Sequence, residues 1–206
     1  MTVKFIVEHM DELGEWTILE YNHICEITSD EKVIFTNFTE NFCHISNKHK
    51  PTCYDKSISD LKNELDWNGI CLLDMKANDK LKCSDKNEIK YVLFGGILGD
   101  VPAADRTSKL RNLKFGVSRN LGNKQMTTNT AILVTHIVLN DMVELDQIPF
   151  IDDPEIVLKS EKETMILPFR FVSKYYYTKC EQDKTVPILP NKFKEYLATL
   201  GDEQIW

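Results

Sequence analysis

Long hydrophobic runs are missing from the sequence, and this excludes a transmembrane helix. The longest apolar runs are short: those at residues 131–134 and 137–139, for example, are interrupted by Thr135 and His136, and none approaches the roughly 20 residues needed to span a bilayer. Residues 1–8 also lack the charged, apolar and small-residue regions of a secretory signal. We therefore expect a cytoplasmic protein without membrane contact.

Paired cysteines are missing as well. The six cysteines are scattered without a C-x-x-C pair, which argues against both a disulfide framework and a redox motif. One stretch brings Cys43, His44, His49 and Cys53 close together, but its spacing matches none of the common zinc patterns, whose ligands come in tight pairs. Reduced thiols and no metal site are therefore expected.

Basic residues are too few for a protein that binds a phosphate backbone. The chain has 25 Lys and Arg against 32 Asp and Glu, a formal net charge of -7. Sequence-independent binding to nucleic acid depends on clustered Lys and Arg, so no stable nucleic-acid binding is expected. A basic partner suits this balance better, although the same charge also serves simply to keep a cytosolic protein soluble.

The apolar pattern of the first 120 residues predicts an α/β fold. Residues 3–7 have the pattern of a short buried strand, and the segment after Gly14 places its apolar residues near a helical period. Further strands are predicted at 33–35, 70–73, 91–94 and 115–117. This alternation favours a mostly parallel sheet with helices on both faces. Residues 37–66 are polar and weakly periodic, and we assign no chemistry to them.

The pattern changes in the C-terminal part of the chain. Thr127 and Thr128 precede an apolar run at 131–139, which predicts a largely buried helix whose first turn is capped by a threonine. Residues 148–151 and 164–172 are predicted strands, and 193–200 form a short amphipathic stretch. We expect one domain over residues 1–206, with a strand-rich C-terminal extension from about residue 145.

Three loops, at residues 72–77, 94–100 and 118–128, each follow a predicted strand. Open parallel sheets bind ligands beyond the carboxyl ends of their strands, and glycines there allow close backbone approach. Together the loops indicate a nucleoside-type site, although Gly95 and Gly96 alone also fit tight turns without a ligand. With Gly99 they do not fit G-x-G-x-x-G, so a Rossmann dinucleotide site is disfavoured.

These segments resemble the SPOUT class of S-adenosylmethionine-dependent methyltransferases, and within it the branch of the fungal protein-arginine methyltransferases. The resemblance rests on residues 91–100, 105–107, 121–128, 150–152 and 167–170, together with 7–10, 15–16 and 19–21. It covers most of the chain except about residues 28–68. It implies a single SPOUT domain with a C-terminal trefoil knot, a feature too rare for any pattern to predict. It also implies monomethylation of an arginine in a basic small-subunit ribosomal protein.

The resemblance further implies that the three loops hold the cofactor, S-adenosylmethionine. The implied cofactor-binding residues are Asp74, Met75, Phe94, Gly95, Gly96, Gly99, Ser118, Arg119, Leu121, Gly122, Gln125, Met126 and Thr127. Arg106 and Arg119 would steer the cofactor carboxylate, which suits a bidentate guanidinium. An RNA methyltransferase of the same class and a non-catalytic module that keeps the nucleoside pocket remain alternatives.

An arginine acceptor requires acidic residues in the site. The pKa of arginine lies above about 12, so carboxylates must orient the guanidinium and take up its proton as the bond forms. Glu8, Asp100 and Asp105 are the candidates, with Arg106 beside them, because each lies at a strand end or in a converging loop. The aspartates also suit turns or pairing with Arg106, and Glu8 suits a capping or solvent role.

The acidic charge also bears on the partner. A basic ribosomal protein would be steered toward acidic loops, whereas an RNA backbone would be repelled. The acidic residues Asp152, Asp153, Glu155, Glu161 and Glu163 would form part of a docking surface, and they suit a solvated turn equally well. The sequence leaves the oligomeric state open, with a monomer favoured.

Overall fold

The computed structural model describes residues 2–96, 105, 107–158 and 163–200, without the side chain of Cys43. The strands are β1 Lys4–His9, β2 Val33–Thr36, β3 Thr52–Cys53, β4 Ile70–Leu73, β5 Tyr91–Gly96, β6 Val117–Arg119, β7 Phe150–Asp152, β8 Glu155–Val157, β9 Thr164–Ile166 and β10 Arg170–Val172. The helices are α1 Glu15–Thr28, α2 Phe42–Ile45, α3 Ser108–Arg111, α4 Thr128–Leu139, α5 Tyr175–Thr178 and α6 Phe193–Leu200. Within the described ranges, no helix is long and apolar enough to cross a membrane.

Six parallel strands form the central sheet, in the order β3-β2-β1-β5-β4-β6. Glu8 at the end of β1 pairs in register with Thr36 on one side and Gly95 on the other. Leu73 at the end of β4 pairs with Arg119 at the end of β6. The carboxyl ends of these strands therefore share one edge, and the predicted parallel sheet is confirmed.

Side chains alternate between two buried faces of this sheet, which explains the nearly continuous apolar runs of its strands. On one face, Phe5 and Val92 pack in a core that includes residues of α1 and α4. On the other face, Ile6 and Leu93 pack with Leu110 of α3. Each such side chain stabilises the fold by about 1.5–3 kcal/mol when fully buried. The prediction of helices on both faces is confirmed.

The predicted buried helix is α4, but its cap differs from the expectation. Thr127 has the extended conformation of a cap residue, yet its side chain makes no capping hydrogen bond with the backbone. Its hydroxyl instead lies 2.7 Å from the Asn129 side-chain oxygen, to which it donates. The buried Glu20 carboxylate of α1 accepts the backbone N–H of Asn129. One backbone N–H of the first turn of α4 is thus satisfied by a residue more than a hundred positions away, which local sequence cannot reveal.

The C-terminal part adds two small antiparallel pairs, β7 with β10 and β8 with β9. The run at 164–172, predicted as strand, is divided between the two pairs, because Pro168 lacks the N–H that a continuous ladder needs. Helix α6 confirms the predicted amphipathic stretch, and its Phe193 packs edge-on against Trp16 of α1 at 4.8 Å between ring centroids. This third apolar cluster fastens the C-terminal part to the sheet domain.

Candidate cofactor and catalytic site

The loops that follow β4 and β6 meet at the carboxyl edge of the sheet. The backbone N–H of Asp74 donates to the Arg119 carbonyl at 2.9 Å, and that of Asn120 donates to the Asp79 carbonyl at 2.9 Å. The Asn120 side chain also donates to the Ala77 carbonyl at 2.9 Å. The two loops therefore form one rigid wall, assembled from segments about 45 residues apart in the chain.

A cavity of about 850 Å³ opens beside this wall. Three residues that were implied to bind the cofactor, Met75, Leu121 and Gly122, line it, together with Phe150 and Arg170 from the C-terminal part. Its volume is in the range of 300–1,000 Å³ that is usual for small-molecule and cofactor sites. Backbone groups of the two loops and an aromatic ring thus surround a space that suits a nucleoside.

Gly122 is needed for its backbone conformation. Its φ of 97° lies in the left-handed region, where residues with a β-carbon are strained. The turn is closed by its N–H, which donates to the Asn120 side-chain oxygen at 2.9 Å. A larger residue here would be strained whatever the space around it, so the glycine shapes the cavity wall.

Arg170 closes the opposite side of the cavity, and the sequence did not single it out as a site residue. Its backbone N–H donates to the Gln125 carbonyl at 2.8 Å, which ties β10 to the third loop. Its guanidinium forms two hydrogen bonds with Asp152, at 2.6 and 2.9 Å, and lies 4.8 Å from the centre of the Phe150 ring. The sequence did offer one indication of a role for Arg170, because the residue lies in the segment 167–170, which is part of the resemblance.

Arg111 of α3 links Asp74, which was implied to bind the cofactor, to Asp105, one of the predicted acidic catalytic residues. Its guanidinium donates twice to the buried Asp74 carboxylate, once at 2.9 Å, and also to Asp105 at 3.0 Å. Lys76 adds a second cation to Asp105, at 2.6 Å. No motif pointed to Arg111, which lies 37 residues from Asp74 in the chain. The segment bearing Asp105 and the loop after β4 are thus held together by one side chain.

These contacts keep both carboxyl groups ionised. Burial opposes a charge on Asp74, but hydrogen bonds from Arg111 and from the Lys76 amide outweigh it and hold the pKa below its ordinary value. Hydrogen bonds from Arg111, then from Lys76, hold the pKa of Asp105 well below its usual range. Asp105 therefore acts as a fixed negative charge. Its predicted partner Arg106, together with Asp100 and Gly99, lies outside the described residues. The catalytic roles of Asp105, Arg106 and Asp100 and the cofactor-binding role of Gly99 stay predictions.

Glu8 is buried at the end of β1 and holds three hydrogen bonds. Its carboxylate accepts from the Thr36 hydroxyl, from the Ser57 hydroxyl at 2.6 Å and from the Ile58 backbone N–H at 3.0 Å. Two of these donors come from the region 37–66, to which we assigned no chemistry. That region therefore contacts Glu8 and fixes its side chain, and the catalytic role of Glu8 stays a prediction.

Gly96 is required by packing inside the protein. A β-carbon there would lie 2.7 Å from the Tyr21 hydroxyl and 2.9 Å from both the Glu8 carbonyl and a Val7 methyl. The Tyr21 hydroxyl in turn lies 2.8 Å from His9 Nδ1. Helix α1 thus makes a close approach to this glycine, and the predicted contact of Gly96 with the cofactor stays a prediction.

The remaining implied residues have varied surroundings. The Arg119 guanidinium donates two hydrogen bonds to the Asp85 carboxylate, at 3.0 and 2.9 Å, so that it forms an ion pair within the protein. Phe94 is buried in the core, and its ring centroid lies 6.4 Å from that of Phe5. The others are Ser118, which is exposed at the sheet edge, Met126, which packs against the core, and Thr127, which is buried at the start of α4. Gly95 contacts the third loop, because the Thr128 hydroxyl donates to its carbonyl at 3.4 Å.

Comparison with solved structures first defines the class of fold. The crystal structure of a dual-specific Trm10 from Thermococcus kodakaraensis superposes with a TM-score of 0.54, covering 69% of this chain and 95% of that chain at 16% identity. A likeness at this identity concerns the fold alone. Together with the parallel sheet and its carboxyl-edge loops, it shows an α/β fold of the kind that Trm10 has.

More similar proteins then define the family. The protein arginine N-methyltransferase SFM1 of Saccharomyces cerevisiae is 37% identical over 187 residues, which is 82% of this chain and 86% of that protein. The crystal structure of yeast SFM1 complexed with S-adenosylmethionine superposes with a TM-score of 0.84 at 32% identity, covering 97% and 91% of the two chains. The family model for protein arginine N-methyltransferase SFM1-like proteins matches residues 4–203. The chain belongs to this SFM1-like family.

Proposed function

We propose that the chain transfers one methyl group from S-adenosylmethionine to an arginine of a basic small-subunit ribosomal protein. Family membership supports arginine methylation, and the complex of yeast SFM1 supports the methyl donor. The observation that carries the proposal is the cavity of about 850 Å³ at the carboxyl edge of the sheet, walled by the loops after β4 and β6. Its glycine turn and its mixed lining, in which Leu121 and the Phe150 ring lie beside polar side chains, fit a nucleoside.

S-adenosylmethionine, when bound, supplies a methyl group on a positively charged sulfur. The residues of the chain have to hold the acceptor nitrogen in line with it, which is the larger part of the rate enhancement for such a transfer. Met75, Leu121 and Gly122 would contact the donor through the cavity wall. No metal ligand is needed for this chemistry.

Asp105 suits the orientation of the acceptor. One of its two cations, Lys76, has a side chain that is 64% exposed and is therefore readily displaced. An incoming arginine would take the place of the Lys76 ammonium and form a two-point contact with the carboxylate. Because the pKa of Asp105 is held well below its usual range, it orients the guanidinium and leaves the proton to Glu8, to Asp100 or to solvent.

The proposal includes the architecture implied by the resemblance. We propose one SPOUT domain over residues 1–206, a C-terminal trefoil knot and a strand-rich extension from about residue 145. The strand order supports a knot. β5 pairs with one side of β4, and the chain then crosses to the other side of β4, where it forms β6. We also propose that the enzyme is a monomer. We place it in the cytoplasm, where newly made ribosomal proteins are available.

A protein substrate fits the charge better than RNA does. The net charge of -7 would repel a phosphate backbone and attract a basic protein. In the proposed docking surface, Asp152 is paired with Arg170 and Asp153 lies 3.9 Å from Lys124, whereas Glu155 is exposed on the β8–β9 pair. Glu163 is also exposed, and Glu161 lies outside the described residues. The free acidic charge is thus concentrated on the β8–β9 pair.

Labelled methyl donor tests the substrate class. The enzyme is incubated separately with purified small-subunit ribosomal proteins, with large-subunit proteins and with total RNA. Label is expected in monomethylarginine of a small-subunit protein, and raising salt should slow the reaction because attraction is screened beyond about 10 Å at 0.1 M. Label confined to RNA would support the RNA methyltransferase. Donor binding without transfer to any acceptor would support the non-catalytic module.

A further inference from the structure

Three potential metal ligands meet at the edge of the sheet opposite the candidate active site. Cys25 lies near the end of α1, Asp30 just before β2, and His49 just before β3. A sulfur, a carboxylate oxygen and a ring nitrogen of these residues all lie within 4.8 Å of one another. They come from three separate segments, so only the fold brings them together. This explains why the spacing of Cys43, His44, His49 and Cys53 did not indicate them.

His49 is held by one of its two ring nitrogens. Nδ1 lies 2.8 Å from an Asp30 carboxylate oxygen, and the other oxygen of Asp30 accepts the Lys50 backbone N–H at 2.7 Å. The histidine is 7% exposed, and its Nε2 is buried without a hydrogen-bond partner among the described residues. A buried polar atom in this state is unusual, because nearly all such atoms in folded proteins are satisfied.

This arrangement is typical of a histidine that binds a metal ion. Metal-binding histidines commonly give one ring nitrogen to a carboxylate, which fixes the ring and leaves the other nitrogen for the ion. Thiolate sulfur, imidazole nitrogen and carboxylate oxygen are the three donor types that zinc accepts. The hard ions calcium and magnesium prefer oxygen alone and do not suit this set.

We propose that Cys25, His49 and Asp30 form a binding site for zinc. Cys25 and His49 bind the ion, and Asp30 holds the His49 ring in place through Nδ1. A concavity of about 620 Å³ is lined by all three residues and admits water to the remaining positions. The site is distant from the loops after β4 and β6 and plays no part in methyl transfer.

The effect of the ion follows from the segments that it joins. It would connect the end of α1 to the chain entering β2 and β3, a part of the sheet where β3 has only two residues. A bound ion that prefers the folded state shifts the unfolding equilibrium toward that state by mass action. We therefore expect zinc to raise the melting temperature without changing the rate of methyl transfer at temperatures where the protein is folded.

The test is a titration of the metal-free full-length protein with Zn²⁺, followed by Cd²⁺ as a probe of thiolate coordination in the ultraviolet. The expected result is one ion per chain, a cadmium–thiolate absorption band and a higher melting temperature. Binding weaker than millimolar, or a bound ion without the thiolate band, would overturn the proposal. These two readouts do not depend on any variant and so remain decisive if a substitution impairs folding.

Variants then locate the site. Cys25→Ser and His49→Ala should each weaken zinc binding by about a hundredfold or more, and Asp30→Asn by about 10–100-fold. Cys180→Ser and His44→Ala are matched controls, because both residues are exposed and lie apart from the cluster. They should bind zinc as the unaltered protein does. Equal loss in the controls, or unchanged binding in Cys25→Ser, would contradict the assignment.

Discussion

Replacing Glu20 with glutamine should remove a large pH dependence from the stability of the fold. Glu20 is 3% exposed in the middle of α1, where it accepts the Trp16 ring N–H at 2.8 Å and the backbone N–H of Asn129. Burial raises the pKa of its carboxyl group from 4.5 to about 7, and the two hydrogen bonds offset only part of this effect. The folded state therefore binds a proton in a pH range where the unfolded chain has released it.

The magnitude follows from the two pKa values. Their difference corresponds to about 3 kcal/mol of stability, taking 1.36 kcal/mol for each tenfold change. Since the folded pKa is the higher one, this contribution is fully present below pH 4.5 and is lost as the pH rises through about 7. Glutamine is uncharged throughout. The free energy of unfolding of Glu20→Gln, relative to the unaltered protein, should therefore rise by about 3 kcal/mol between pH 4.5 and pH 8.

Urea denaturation at a series of pH values measures this difference. Titrating groups that lie away from Glu20 and share no partner with it are present in both proteins and cancel in the comparison. Glu15→Gln is the control for replacing a glutamate of the same helix with glutamine, because Glu15 is exposed. A Glu20→Gln difference that does not change with pH, or that is no larger than the Glu15→Gln difference, would refute the reasoning.

Two further predictions concern the edge of the sheet that carries the site. Gly96→Ala should lower stability by about 1–3 kcal/mol in thermal denaturation, because its new β-carbon meets buried atoms at 2.7–2.9 Å. Gly14→Ala, which meets nothing within 4 Å, should cost less than about 1 kcal/mol, and equal losses would contradict the packing argument. Arg111→Met should lower stability by about 3 kcal/mol and weaken donor binding in calorimetry, because it leaves the Asp74 charge buried and unpaired. Lys76→Met removes only an exposed partner and should leave both quantities near their original values, whereas parallel effects of the two variants would count against this pairing.

The elements that could be predicted from the sequence are those whose apolar pattern is decided by local burial. The strands β1, β2, β4 and β5 were located to within two residues, because each is buried on both faces and forms a continuous apolar run. The edge strand β6 was placed two residues too early. Phe115, which suggested its start, packs instead on the Trp67 ring at 4.6 Å between centroids.

The candidate site was predictable only as a set of loops. Strand ends and glycines marked the loops after β4, β5 and β6, and Gly122 does have the backbone conformation that requires glycine. The contacts that arrange them were not predictable, since Arg111 with Asp74 and Arg170 with Gln125 join residues far apart in the chain. At Gly96 the sequence could not reveal that the Tyr21 hydroxyl of α1 occupies the space a β-carbon would need, and its contact with the cofactor stays a prediction.

The most direct test of the central claim is a methyl-transfer reaction with the isolated enzyme, analysed by mass spectrometry. The full-length protein is mixed with S-adenosylmethionine whose methyl group is deuterated and with small-subunit ribosomal proteins purified from cells that lack the enzyme. We predict that one arginine of one protein gains a single deuterated methyl group, and that Asp105→Asn lowers the rate by about a hundredfold, or roughly 2.7 kcal/mol of barrier, while donor binding persists. A folded protein that binds the donor but leaves every arginine unmodified would contradict the account.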